Sequence, residues 1–203
     1  MEAAAHLGSL ELRRSGGGDV RLRGRFPYGK RAVLGAGGNG RRPKKEEFAP
    51  RAFSYAIEES REVHFLLGHS FDRPLASRKS GTLTLEDTDE ALTFSALLTP
   101  EIQRASWVQD FLAGLAAGLI IGISPGFRIP PPEAVADAEE TVEEDPAEGN
   151  ALIRIIRAAV LFEISAVSRP AYDETELEEA RSHLLCQEIG NPARLHPSYR
   201  WRA

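Results

Sequence analysis

One cysteine, one methionine and two tryptophans occur among 203 residues. A lone cysteine, Cys186, cannot close an internal disulfide, which excludes a disulfide-stapled mini-protein and fits a reducing compartment. Long hydrophobic runs are missing too. The most apolar stretch, residues 113–123, falls short of the roughly 20 residues that a spanning helix needs. Residues 1–12 carry charge and lack the apolar core of a signal peptide. There is no internal repeat. With 42% hydrophobic and 27% charged residues, the composition also excludes a collagen-like or wholly disordered chain and leaves enough apolar material for one core.

The net charge of −5 hides an asymmetry. Residues 1–51 hold 12 basic and 5 acidic residues, whereas the remainder holds 13 and 25. A basic half invites a nucleic-acid reading, a DNA-packaging accessory for instance. Its charges, however, are spread through glycine-rich sequence (Gly16–Gly18, Gly35–Gly40) with no recognition helix, which argues against nucleic acid as a partner. Residues 130–150 open with three prolines and carry eight acids without a lysine or arginine. Such a run buries too little apolar surface to offset its ordering entropy. It reads as an acidic, proline-rich mobile loop inside a domain spanning residues 20–185. Flexible extensions are expected over residues 1–19 and 186–203.

Strand signals dominate that domain. Residues 20–34 read as strand punctuated by Pro27 and Gly29, and residues 52–60 as a short helix. Residues 63–69 alternate, putting Val63, Phe65, Leu67 and His69 on one face. Residues 81–85 and 91–98 make a hairpin across a polar loop. Thr99-Pro100-Glu101 has the chemistry of a helix start, and Trp107, Phe111 and Leu115 then recur at helical spacing until Gly118. Residues 119–124 form an apolar strand, residues 152–168 one or two more, and residues 172–185 an acidic helix. The fold class expected is α+β, dominated by sheet, as a β-barrel or a curved sheet with packed helices.

Gly122-Ile123-Ser124-Pro125-Gly126 matches the pattern of the α/β-hydrolase nucleophile elbow, but the physics does not follow the pattern. In that elbow the residue after serine donates its N–H to the oxyanion and opens a helix. Pro125 has no N–H, and Phe127-Arg128-Ile129 followed by three prolines cannot be that helix. A serine on an apolar strand between glycines can still be a nucleophile, provided a base activates it. His69 is the best-placed base; the competing reading is a core histidine with satisfied hydrogen bonds. In Leu161-Phe162-Glu163-Ile164-Ser165-Ala166-Val167, alternation sets Glu163 and Ser165 on one face with Leu161 and Val167. A carboxylate there needs a partner, and either His69 or a structural arginine would serve.

Three blocks, in this order, resemble the tailed-phage prohead protease family, the capsid-maturation serine proteases related to herpesvirus assemblin. They are Phe65-Leu66-Leu67-Gly68-His69 with Arg73-Pro74-Leu75 and Gly81-Thr82-Leu83, then Gly122 to Phe127, then Leu161 to Tyr172. Glu47 to Phe53 looks like the family's entry segment. The resemblance covers about residues 20–180 and extends to the proteases of gene-transfer-agent particles. It implies an assemblin-like fold, Ser124 as nucleophile, His69 as base and Glu163 as third member. In assemblin relatives a second histidine holds that third place, and none stands at the corresponding position here. It also implies that the loop of Arg169 supplies an oxyanion donor, with Gly126 a further candidate. Gly122, Phe127 and Ser165 are candidates for the substrate groove. No metal and no cofactor are called for.

The partners implied are the scaffold or the N-terminal delta segment of the major capsid protein as substrate, with a homodimer open to the chain by analogy with the assemblin relatives. Autoprocessing is implied as well, all of it inside the assembling procapsid in the bacterial cytoplasm, with no role for a membrane. The alternative is a non-catalytic capsid-assembly or scaffolding factor of the same fold, whose acidic loop docks a basic partner.

Overall fold

Alternating apolar and polar residues make strand the dominant element among the described residues, where the strands sort into three sheets. The computed structural model describes residues 4–7, 10–14, 18–38, 40–58 and 62–170. The first sheet contains β1 (Ala4–Leu7), β2 (Leu10–Arg14), β3 (Val20–Pro27), β9 (Ala91–Leu98) and β8 (Leu83–Asp87), in that order and antiparallel throughout. β1 and β2 thus lie within the segment expected to be a flexible extension. The second sheet runs β10 (Gly122–Arg128), β13 (Val160–Val167), β6 (His64–Leu67), β7 (Ser70–Ser77). The third runs β11 (Glu139–Glu143), β12 (Leu152–Ile156), β5 (Lys44–Phe48), β4 (Arg31–Gly35). β13 pairs with β6, and β12 with β5, in parallel; the other ladders are antiparallel.

None of these sheets closes on itself, so the barrel form of the expectation is corrected while a sheet-dominated chain with few helices stands. One hydrophobic core serves all three. β3 buries Val20, Leu22 and Phe26 and exposes Arg21, Arg23 and Arg25. β9 contributes Leu92, Phe94, Ala96 and Leu98. Phe48 of β5 and Phe53 stack at 5.1 Å between centroids, and Phe26 meets Phe48 edge-on at 5.3 Å. Such aromatic pairs add about 0.5–1.5 kcal/mol beyond the area they bury.

Among the described residues the α-helices are α1 (Ser54–Glu58) and α2 (Ser106–Ala116). Thr99-Pro100-Glu101, expected to open the helix, leads instead into a 3₁₀ turn over Ile102–Arg104, and α2 begins only at Ser106. Its buried stripe is Val108, Phe111 and Leu115, while Trp107 is partly buried and donates its indole N–H to the Pro74 carbonyl at 3.2 Å. Phe111 packs edge-on against Phe65 of β6, which ties the helix to the second sheet.

The acidic segment departs most from expectation. Residues 139–143 form β11, paired residue for residue with β12. What ordering costs there is offset by cations from elsewhere. Arg154 bonds Glu139 and Glu46, Arg157 bonds Glu140, Arg42 reaches Glu143 at 3.1 Å, and Lys45 Nζ lies 2.6 Å from the buried Glu144. Arg31, Arg42 and Lys45 belong to the basic first quarter of the chain. The charge asymmetry is therefore spent, in part, inside the molecule. The acidic helix expected over 172–185, Cys186 and the C-terminal tail lie outside the described residues.

Candidate active site

His69 does not continue the alternation of β6. The chain leaves the strand at Leu67, passes through Gly68 (φ 61°) and His69 (φ 60°), and enters β7 at Ser70, which pairs with Leu67. Positive φ at both central residues of a two-residue hairpin is the signature of a type I′ turn. Glycine adopts that conformation freely; histidine does so at a cost of about 1–3 kcal/mol. His69 is consequently a turn residue with its side chain 49% exposed, not a core histidine on the Val63–Phe65 face. A two-residue link that contains glycine, between two apolar runs, is a hairpin signal in the sequence.

The turn is stapled to β13. The Gly68 N–H donates to the Ala166 carbonyl at 3.0 Å, and the His69 N–H donates to Ser165 Oγ at 3.0 Å. His69 Nδ1 lies 2.7 Å from Glu163 Oε1, and Ser165 Oγ donates to Glu163 Oε2 at 2.5 Å. Glu163 is 3% exposed, so both carboxylate oxygens are occupied within the protein. His69, and not an arginine, is the partner of this carboxylate.

A register break makes the arrangement possible. β10 and β13 pair Gly126 with Glu163 but Phe127 with Leu161, leaving Phe162 as the extra residue of a β-bulge. A bulge re-aims the side chains beyond it. Leu161 joins the core with Ile164 and Ala166, Phe162 turns outward, and Glu163 and Ser165 face the histidine turn. The expectation that Leu161 shares a face with Glu163 is corrected by that one extra residue. Gly126 makes the room: a Cβ there would collide with Glu163 Oε1.

Ser124 stands directly opposite Ser165 in the β10–β13 ladder and is half-buried. Side chains so paired share a face, with Cβ atoms about 5 Å apart. β10 is an edge strand of its sheet, where a proline such as Pro125 is tolerated. It starts at Gly122, three residues later than the sequence suggests, and runs on through Gly126 to Arg128.

The remaining candidates lie as follows. Gly122 is buried against Pro170, whose ring fills the space a Cβ would take. Phe127 turns inward, its ring 4.9 Å from that of Phe48. Ser165 is fully buried behind the histidine turn. These three, expected to line a groove, are therefore packed or covered. Arg169 is exposed just past the end of β13 and makes no ion pair among the described residues. His64 opposes Glu163 across the parallel ladder, but its ring contacts Phe71 and its Nε2 lies 3.8 Å from Glu62. Further along the same two strands, an open cleft of about 420 Å³ is lined by Glu62, Arg128, Val160, Leu161 and Phe162. Among the described residues no cluster of three or more His, Cys, Asp or Glu could hold a metal ion, and no helix is long and apolar enough to cross a membrane.

No curated protein and no solved structure matches the chain. The model of the caudovirus prohead serine protease family does, over residues 36–188. That span holds the histidine turn, β10 and the bulged strand together. The chain belongs to the caudovirus prohead serine protease family.

Proposed function

We propose that the protein is the serine endopeptidase of capsid maturation, with Ser124 as nucleophile, His69 as general base and Glu163 orienting the imidazole. The observation that carries this reading is the 2.7 Å contact between His69 Nδ1 and Glu163 Oε1, on the strand face that Ser124 shares. With Nδ1–H donated to the carboxylate, Nε2 is left unprotonated and able to accept the serine proton.

The step is acyl transfer. Ser124 Oγ attacks a peptide carbonyl while its proton passes to His69 Nε2. The tetrahedral intermediate collapses as the imidazolium protonates the leaving amine, and water then hydrolyses the acyl-enzyme by the same route. Glu163 stabilises the transient imidazolium. The oxyanion needs donors, and Pro125 removes the one that usually follows the nucleophile; the exposed loop of Arg169 and the Gly126 N–H are the proposed sources. The substrate is the scaffold or the N-terminal delta segment of the major capsid protein. Cleavage takes place inside the procapsid, in the host cytoplasm, alongside autoprocessing and by a chain that pairs with a second copy of itself.

Intact-mass analysis of the major capsid protein, co-expressed with the wild-type chain or with Ser124→Ala, tests the reading in assembled procapsids. A defined fragment lost with wild type alone is expected. The variant should fold normally, since a half-exposed Ser→Ala change costs little stability. Equal masses from procapsids containing either chain would overturn the reading in favour of a non-catalytic assembly factor.

A further inference from the structure

Three hydrogen-bonding links close a ring around the candidate site. The His69 main-chain N–H can only donate, and it donates to Ser165 Oγ. The Ser165 hydroxyl is thereby an acceptor, and its single proton points to Glu163 Oε2 at 2.5 Å. Oε1 is left for His69 Nδ1 at 2.7 Å. The circuit starts and ends on one residue, a backbone donor on one side and a ring nitrogen on the other. It is built from two buried side chains, Ser165 at 0% and Glu163 at 3% exposure, with Gly126 leaving the space for the carboxylate.

We infer that Ser165 is a positioning residue, which locks the Glu163 carboxylate to the main chain of the histidine it serves, so that turn, carboxylate and ring move as one unit. The inference rests on the triad reading above and adds to it a direction of hydrogen bonding. His69 sits in a left-handed turn that an L-residue adopts at a cost. The Ser165 hydroxyl holds that turn by its N–H and, through the carboxylate, holds its ring. Without the hydroxyl, Glu163 keeps one partner and is free to rotate. A misplacement of order 1 Å costs about 10²-fold in rate.

A carboxylate has two equivalent oxygens, so the lock is silent in the native protein; glutamine makes it readable. In Glu163→Gln the Ser165 hydroxyl, already committed as donor, selects the amide oxygen. The amide NH₂ must then face His69 Nδ1, which drives the ring proton to Nε2. In Glu163→Gln/Ser165→Ala the amide is free to turn its oxygen toward Nδ1.

The test is the ring-nitrogen NMR of His69 in the full chain carrying Ser124→Ala, which prevents self-cleavage. Nδ1–H is expected for glutamate at 163, Nε2–H for Glu163→Gln, and a return toward Nδ1–H for the double substitution. Correspondingly, with Ser124 intact, Ser165→Ala lowers capsid-protein cleavage by about 10²-fold, Ser165→Thr restores most of it, and the double variant is more active than Glu163→Gln alone. Glu163→Gln retaining Nδ1–H, or a double variant identical to it in ring tautomer, overturns the proposal. A merely structural serine would make the double variant the worse of the two. If the wild-type chain cleaves nothing, the protease reading fails on that ground, while the ring-proton measurement still decides the role of Ser165.

Discussion

Gly126 shows how much one missing methyl group decides. It faces Glu163 across an antiparallel ladder, where most residues place a side chain, and Glu163 occupies that volume instead. Alanine there forces the carboxylate off His69 Nδ1 or pushes β10 away from β13. Neither neighbour yields easily, because Glu163 is buried and held at both oxygens. Gly126→Ala should lower cleavage by about 10²-fold and destabilise the fold by about 1–3 kcal/mol through overpacking. Rates on capsid protein and a urea melt would read the two effects separately. Gly35→Ala is the control: its added Cβ meets nothing within 4 Å, and both readouts should stay at wild-type values.

At the scale of elements, α2 supports the site through contacts with β6 and β7. Phe111 is fully buried and meets Phe65 edge-on at 6.3 Å. Phe65 lies on β6, whose end carries the histidine turn. Truncating Phe111 to alanine should cost about 3–5 kcal/mol. Activity per folded molecule should change far less than it does in Gly126→Ala, because the turn is also stapled to β13. Thermal melts beside active-fraction titration would separate the two. The helix itself was legible in the sequence, since the spacing of Trp107, Phe111 and Leu115 is local information. So was β9, whose alternation survives intact. The pairing of Glu163 with His69 was legible, because an isolated carboxylate at Glu163 demands a partner. Their geometry was not. Strict alternation carried His69 onto the core face and Leu161 onto the face of Glu163, and each error comes from one residue breaking the period: Gly68 in the turn, Phe162 in the bulge. β11 was missed for another reason. Its acids are neutralised by Arg154, Arg157 and Arg42, and no local window contains both partners.

Across the whole molecule, the segregation of charge along the sequence becomes complementarity in space. Basic residues of β4 and β5 and of the segment between them face the acidic segment around β11, and Glu144 is the buried end of that contact. Its carboxylate lies 2.6 Å from Lys45 Nζ and accepts the Ala151 N–H at 3.1 Å. The hydrogen bond from Lys45 holds its pKa below the usual carboxylate value, burial working against it and the Ala151 N–H adding to it. The sign of the linkage follows. A carboxylate that titrates lower in the folded state than in the unfolded chain stabilises the fold above the unfolded value, near 4.5. That contribution fades as pH falls through the lowered folded value. Glu144→Gln should therefore melt below wild type at pH 7. The gap should narrow as the pH drops below the ordinary carboxylate range and close once Glu144 is protonated in the native state. Melting temperatures of both chains between pH 7 and pH 3 measure it. A gap of constant size would mean that the carboxylate contributes by shape and neutral hydrogen bonding, and that the complementarity of the two charged segments does not extend to the buried end.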